Sequence, residues 1–535
     1  MSQAARNLSS RWHAPTHALP VDLFRVLVGL VSFAYFGHLF AQSLDFSSPD
    51  GLIDHALTQR IFWYTQLGLF NSSMSAGAFE AVFLIASVAS LALAAGYRPR
   101  LMASFAFVVA VSAYRWNFLV IYVDDGIMHL MLFWIIMLPV GRTLVLREWQ
   151  HEGSGAIERW KREMVPGGAV RALLVSLALV YVVAGAWKWT SPMWRDGTAL
   201  YAALRTPIAW HPEFWGPQHI TPLVFANYFT LVLEPLFPLM FVLPVNHRIK
   251  WALLPALIGF HVGIIATMRV PYANVACLAA SVIVFRHEIM RLLTRASESA
   301  PARPVAPQPG LCCRMSLAFV ALLALAMAGD AAVPAWRGPT RPDHSADSVG
   351  KESVRDHTPR REARVGFLGT QHNPLYSVLW LAGIAQSYRL FDWIDDRNFH
   401  IHYEITERRP DGSVRFIPPA ALFPQSIRAV LLQTYMHGVT WARIPDEHSD
   451  DLKIALYKRF ARRFCRTERM TGVIEVGASV ARVSRRSNDV LPAAQIQASF
   501  SCNAGGAQMR YVRSGGDERF ATANSARART IEVSD

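Results

Sequence analysis

Long apolar blocks separated by short polar loops constrain this chain more than any other feature. A bilayer's hydrocarbon core is about 30 Å thick, so a crossing helix needs roughly 20 mostly apolar residues. Runs of this kind lie at Leu23–Phe40, Gly77–Ala95, Leu101–Tyr122, Ile127–Leu146 and Val170–Trp189. Others lie at Leu223–Leu243, Trp251–Met268, Ala273–Phe285 and Arg314–Val333. They predict a polytopic α-helical membrane bundle of about nine transmembrane helices, the fourth bent by Pro139-Val140-Gly141. Composition agrees. Of 535 residues, 52% are hydrophobic and 17% charged, and mean hydropathy is +0.22. That is too apolar for an ordinary soluble enzyme. Leu23–Phe40 reads as an uncleaved helix, because it carries Arg25 and His38 and Ala41-Gln42-Ser43 is a poor cleavage site. Asp45–Asn71 is too polar to span and reads as re-entrant or interfacial.

The net charge of +14 is concentrated in alternate loops. Arg98 and Arg100 lie in one; Arg142, Arg147, Arg159, Lys161 and Arg162 in another; Arg248 and Lys250 in a third; and Arg286, Arg291, Arg295 and Arg303 in a fourth. Positive loops stay cytoplasmic, which puts the N-terminus inside, the C-terminus outside and the Lys188–His219 loop outside. The partners this implies are lipid bilayer and anionic headgroups, not nucleic acid, since no folded basic module appears. None of the five cysteines, Cys277, Cys312, Cys313, Cys465 and Cys502, has CxxC spacing, so no zinc ribbon or redox dithiol is signalled.

The organisation is a transmembrane domain over 1–336, a flexible linker over 337–364 and an extracytoplasmic α+β domain over 365–535. Thr294–Gly310, rich in Pro and Ala, reads as a second linker. Within the soluble part, Leu379–Phe391 is an apolar start. His400–Glu407 alternates as a strand, Pro410-Asp411-Gly412 turns and Val414–Ile417 returns. Leu452–Phe464 is amphipathic and basic, and Val473–Val483 and Ala498–Val512 read as strands. Outside the cell Cys465 and Cys502 could pair or stay separate thiols.

Polar residues inside apolar runs ask for a reason. Lys188 closes the fifth run among Trp187, Trp189 and Trp194. Desolvation there would favour the neutral amine and make it a base; a lysine that snorkels to the interface among anchoring tryptophans is the structural alternative. Asp125 and His129 are four apart and share a helix face, as a carboxylate–imidazole pair in which the carboxylate holds one tautomer and raises the ring's basicity, or as a satisfied structural pair at the outer interface. Glu234 precedes Pro235 inside the sixth run and needs a cation or a proton, with Arg25 or Lys188 as partners. His261 lies mid-helix, as a base or as a hydrogen-bonded packing residue. Met268 and Tyr272 could line a quinone pocket or an ordinary core. No phosphate loop, HExxH or Ser-His-Asp signature suggests another reaction.

Ala184-Gly185-Ala186-Trp187-Lys188, followed by Trp194 and Asp196-Gly197-Thr198-Ala199-Leu200-Tyr201, resembles the signature of the HTTM domain, the family of the vitamin K-dependent gamma-carboxylase and its bacterial relatives. The resemblance implies a membrane lyase with reduced vitamin K, or another membrane quinol, as cofactor and no metal. Lys188 would be the general base that deprotonates the quinol, with His261 as a second catalytic group. Asp125, His129, Glu234, Trp187 and Trp194 would surround the substrate, a peptide or protein on the outer face. Oxygen would add to the quinolate, and the resulting alkoxide would take a γ-proton from glutamate before carbon dioxide is captured; quinol epoxidation without carboxylation is the other version. Asp125 stands where the family has a histidine, and Trp187 where it has a second lysine. The other classes are a non-enzymatic transporter or lipid-binding scaffold, and a membrane anchor for a functional soluble half.

Overall fold

The computed structural model of the chain describes residues 12–294, 311–336, 374–384, 399–423, 426–436, 446–467, 472–482, 494–503, 506–513 and 529–533. The linker at 337–364 and nearly all of the one at 294–310 lie outside these residues.

The helices of the apolar half are α1 (Ala18–Ala41), α2 (Ala76–Ala94), α3 (Pro99–Trp116), α4 (Val123–Met137), α5 (Gly168–Thr190), α6 (Ile220–Leu236), α7 (Arg248–Thr267), α8 (Pro271–Val284) and α9 (Leu311–Trp336). Six apolar segments are long enough to cross a membrane: Ala18–Ala41, Ala76–Ala94, Gly168–Thr190, Pro217–Val242, Arg248–Thr267 and Leu311–Ala328. A count of about nine spans is therefore not supported. In α3, Arg100 and Arg115 shorten the apolar centre. The helices α4 and α8 have only 15 and 14 residues. At 1.5 Å per residue each is about 22 Å long, short of the hydrocarbon core.

Two carboxylates explain how the short helices sit. Val270 offers no side-chain cap to α8. Asp124 of α4 supplies one, accepting from the N–H groups of Tyr272 (3.1 Å) and Ala273 (2.7 Å). A negative group at a helix N-terminus satisfies orphan donors and complements the dipole. At the opposite end of the bundle Asp22 of α1 gathers the turn after α4. It accepts from the N–H groups of Gly141, Arg142 and Thr143, from the Thr143 hydroxyl, and from Arg25 Nε at 2.8 Å. Arg25 donates its remaining N–H groups to the carbonyls of Leu93, Ala94, Thr143 and Leu144.

The described residues from 399 onward form a separate sheet region. Its strands are β1 (Phe399–Arg408), β2 (Val414–Ile417), β3 (Val473–Arg482), β4 (Gln495–Asn503), β5 (Gly506–Arg513) and β6 (Arg529–Val533). The order is β2-β1-β3-β4-β5-β6, antiparallel throughout. Gly412 takes φ +82° in the turn between β1 and β2, a conformation glycine adopts without a Cβ penalty. The stretch Ala498–Val512, expected as one strand, is a hairpin of β4 and β5. Helices α10 (Ile427–Met436) and α11 (Asp446–Thr467) complete this region. On α11, Leu452, Leu456, Phe460 and Phe464 recur every four residues and are buried; Phe464 meets Phe500 of β4 edge-on. A disulfide joins Cys465 of α11 to Cys502 of β4.

Candidate functional site

Local sequence sets the end of α5. Pro192 cannot extend a helix and holds Ser191 in an extended conformation, where the Ser191 hydroxyl accepts from the Trp194 N–H. The chain turns back, and Trp194 comes to lie over the last turn of α5. Its ring centroid is 5.4 Å from Lys188 Nζ. Helix α6 runs antiparallel alongside. Gly185 permits the approach, since a Cβ there would stand 3.1 Å from Pro235 Cδ. Pro235 has no N–H for the Leu231 carbonyl four residues earlier. The indole N–H of Trp189 takes that place, donating to Leu231 O at 3.1 Å. These contacts fix the register that sets Glu234 against Lys188.

Lys188 Nζ donates to Glu234 Oε2 at 2.6 Å, and both side chains are only 3% exposed. The lysine is thus enclosed by protein and does not snorkel. Among the described residues Glu234 is its only hydrogen-bond partner, so two of three ammonium donors remain. Arg25 is not the partner of Glu234; Asp22 and four carbonyls consume it at the other end of the bundle. The three tryptophans do not crowd the lysine equally. Trp194 covers it, Trp189 is half-exposed and turned to α6, and Trp187 is partly buried.

His261 of α7 belongs to a relay. Asn274 Nδ2 donates to the Val270 carbonyl, so its Oδ1 faces His261 Nδ1 at 2.7 Å and accepts from it. His261 Nε2 then accepts from the Tyr181 hydroxyl at 2.9 Å. Tyr181 precedes Lys188 by seven residues on α5, roughly 10 Å along the axis. The structure sets His261 against the helix that carries Lys188, about two turns deeper, through the Tyr181 hydroxyl.

Asp125 and His129 do not pair. The Asp125 carboxylate accepts from the Tyr122 N–H (3.1 Å), the Tyr35 hydroxyl (2.6 Å) and Arg428 of α10 (2.8 Å). His129 packs edge-on against Tyr114 and Phe107 and neither ring nitrogen bonds Asp125. The carboxylate was drawn away because a guanidinium offers a stronger, charge-assisted bond. Arg428 also donates to the Val120 carbonyl at 3.0 Å and is 2% exposed. Burial opposes its charge, but the Asp125 carboxylate outweighs that and its pKa is raised. Tyr272 stands against Tyr35 and His38 beside this group.

Arg428, Asp124, Asp22, Tyr35 and Tyr181 carry weight here without having stood out in the sequence. The uncapped start of α8 was a readable sign that a donor-seeking carboxylate was needed. Nothing local marks Arg428, whose partner is 303 residues away in the chain. Among the described residues no group of three His, Cys, Asp or Glu side chains could hold a metal ion. No family model matches the chain, and no curated protein or solved structure matches it.

Proposed function

We propose that this chain is a membrane protein of the HTTM/vitamin K-dependent gamma-carboxylase kind, doing quinol-coupled chemistry with Lys188 as general base. The observation that carries the reading is the enclosed Lys188–Glu234 pair, 2.6 Å apart at the end of a membrane-length helix. A base must first be a free amine. Glu234, in direct hydrogen bond with Lys188, is the group placed to take that proton. The amine then accepts a proton from the quinol hydroxyl, and Trp194 shelters the site from water that would quench a carbanion or alkoxide. Oxygen would oxidise the deprotonated quinol to its epoxide, either alone or coupled to loss of a γ-proton from glutamate and addition of carbon dioxide at that carbon.

The basic loops support a cytoplasmic N-terminus. The Cys465–Cys502 bond supports an oxidising compartment for the sheet region. Transport or lipid binding is the second reading, and the Tyr181–His261–Asn274 relay, deeper in the bundle, is what favours it. The test is purified protein supplied with a reduced naphthoquinone, followed by product analysis. Lys188→Ala in folded protein abolishes quinol consumption on this reading; unchanged consumption removes the lysine from the chemistry.

A further inference from the structure

Five buried polar atoms without a partner among the described residues lie in two short segments at one end of the bundle, where α1, α5 and α9 begin. Trp12 Nε1, Thr16 Oγ1 and His17 Nδ1 belong to the strap 12–17 before α1. Arg286 Nε and Glu288 Oε2 belong to the short helix Arg286–Thr294. Buried polar groups are paired as a rule, so a cluster of exceptions asks what completes it. Thr16 and His17 pair with Val165 and Met164, which sets the strap beside the entrance to α5.

Two cations stand beside this cluster, neither of them in contact with a carboxylate. Arg171, in the first turn of α5, folds back onto the strap. It donates through Nη1 alone, to the carbonyls of Trp12 (2.8 Å) and Ala14 (2.7 Å). Gly167 permits this, since a Cβ there would collide with the guanidinium. No side chain caps α5. A positive charge therefore stands at the positive end of a helix dipole, where it is unfavourable. Arg286 also donates only through Nη1, to the Ile283 carbonyl at 3.0 Å. Burial, and next the Arg171 charge, lower its pKa to about 10, while Glu288 raises it. Glu288 itself is held by Lys250 at 2.6 Å. Among the described residues neither arginine has an acidic side chain within ion-pair distance. Residues 1–11 add Arg6 and Arg11 and no acidic residue. Carbonyls occupy donors but cancel no charge; an oxyanion does both.

We infer that this end of the bundle binds a phosphate group between Arg171 and Arg286, with the Trp12 indole and the Thr16 hydroxyl as further donors. The free edges of the two guanidiniums offer planar forks to phosphate oxygens. An anion there also reverses the repulsion between the arginines and the cost of Arg171 at the start of its helix. Arg171 and Arg286 are only partly buried, so a ligand can reach them. The same chemistry comes from two sources, an anionic phospholipid headgroup or a soluble phosphate. Membrane-length helices begin here, at Ala18, Gly168 and Leu311, which is where headgroups lie.

The experiment uses the full chain in detergent, and in nanodiscs of phosphatidylcholine with and without phosphatidylglycerol. Native mass spectrometry reads retained lipid, and thermal unfolding reads stabilisation by phosphatidylglycerol and by inorganic phosphate. The variants are Arg286→Gln, the charge-keeping Arg286→Lys, and Arg171→Gln on the other helix. Arg291→Gln, an exposed position of the same short helix, removes an equal charge outside the site. The expected result is phosphatidylglycerol retained by the wild type. Its affinity falls about tenfold in Arg286→Gln and in Arg171→Gln, and far less in Arg286→Lys and Arg291→Gln. Stabilisation by inorganic phosphate with the same pattern of loss, and no preference for phosphatidylglycerol, supports the site with a soluble source. Equal responses of the wild type and both site glutamine variants overturn the inference. So does an equal loss in Arg291→Gln, which would make the effect one of overall surface charge. Neither readout depends on quinol turnover, so this inference and the proposed reaction fail separately.

Discussion

Two of the enclosed ion pairs among the described residues are of nearly equal length and opposite design. Asp22–Arg25 (2.8 Å) and Lys188–Glu234 (2.6 Å) both exclude solvent. The first is saturated. Asp22 accepts four bonds besides the one from Arg25, and Arg25 fills its remaining donors with four carbonyls, two at the end of α2 and two in the turn after α4. Neither group can take a new partner without breaking the turn around Thr143. Among the described residues Lys188 and Glu234 have only each other as side-chain hydrogen-bond partners, with an indole face over the ammonium. The contrast teaches that burial alone does not distinguish a clasp from a site. What distinguishes them is unused hydrogen-bonding capacity.

The comparison breaks most sharply under double substitution. Removing one member of either pair leaves a buried charge, at a cost of about 3–5 kcal/mol. Lys188→Met combined with Glu234→Gln should recover most of that loss, because little besides the pair is disturbed. Asp22→Asn combined with Arg25→Met should recover little, because backbone groups at the end of α2 and in the turn after α4 lose their partners. Thermal unfolding of the four singles and two doubles in detergent measures this. Equal recovery at both places would mean that the two pairs are not different in kind.

A smaller effect is expected where the sheet region meets the bundle. Arg428→Gln keeps polarity but loses the charge that Asp125 requires, and should cost about 2–3 kcal/mol. Limited proteolysis should then cut α10 faster while the membrane-length helices stay protected. If α10 remains equally protected, the Asp125–Arg428 bond is not what docks it.

Smaller again is a pH effect away from both pairs. His55 is enclosed between the carbonyls of Trp116 (3.2 Å) and Phe46 (2.8 Å) and stacks on Trp116. Burial pushes its pKa down to about 3, against a weaker upward pull from the Phe46 carbonyl. The unfolded chain binds a proton near pH 6.5 that the fold resists, so stability falls as pH drops from about 6.5 toward 3. The slope attributable to this group is on the order of 1.4 kcal/mol per pH unit. In His55→Gln that part of the acid limb should flatten; an unaltered limb would place the ring's proton elsewhere.

The apolar blocks were legible because a bilayer imposes a length on any helix that crosses it. Ala18–Ala41 and Gly168–Thr190 lie within a few residues of their expected places. The short α4 and α8 were misread as spans because hydropathy does not reveal that Asp124 of one caps the other. Lys188 and Glu234 were both legible as polar residues in apolar runs. Their pairing was one of two choices, settled by Gly185 and Pro235 at the α5–α6 contact. The Asp125–His129 pairing failed for a different reason. Helix periodicity describes neighbours on one helix, and the stronger partner, Arg428, arrives from a distant segment. Long-range partners of this kind leave no mark in local spacing.

The central claim is that Lys188 matters as a group able to give up its proton, whereas Arg25 matters as a charge. Lys188→Arg tests it most directly, because a guanidinium keeps the pairing with Glu234 but does not deprotonate in proteins. The account predicts folded protein with near wild-type thermal stability and no consumption of a reduced naphthoquinone. Quinol consumption at the wild-type rate in that variant would contradict it.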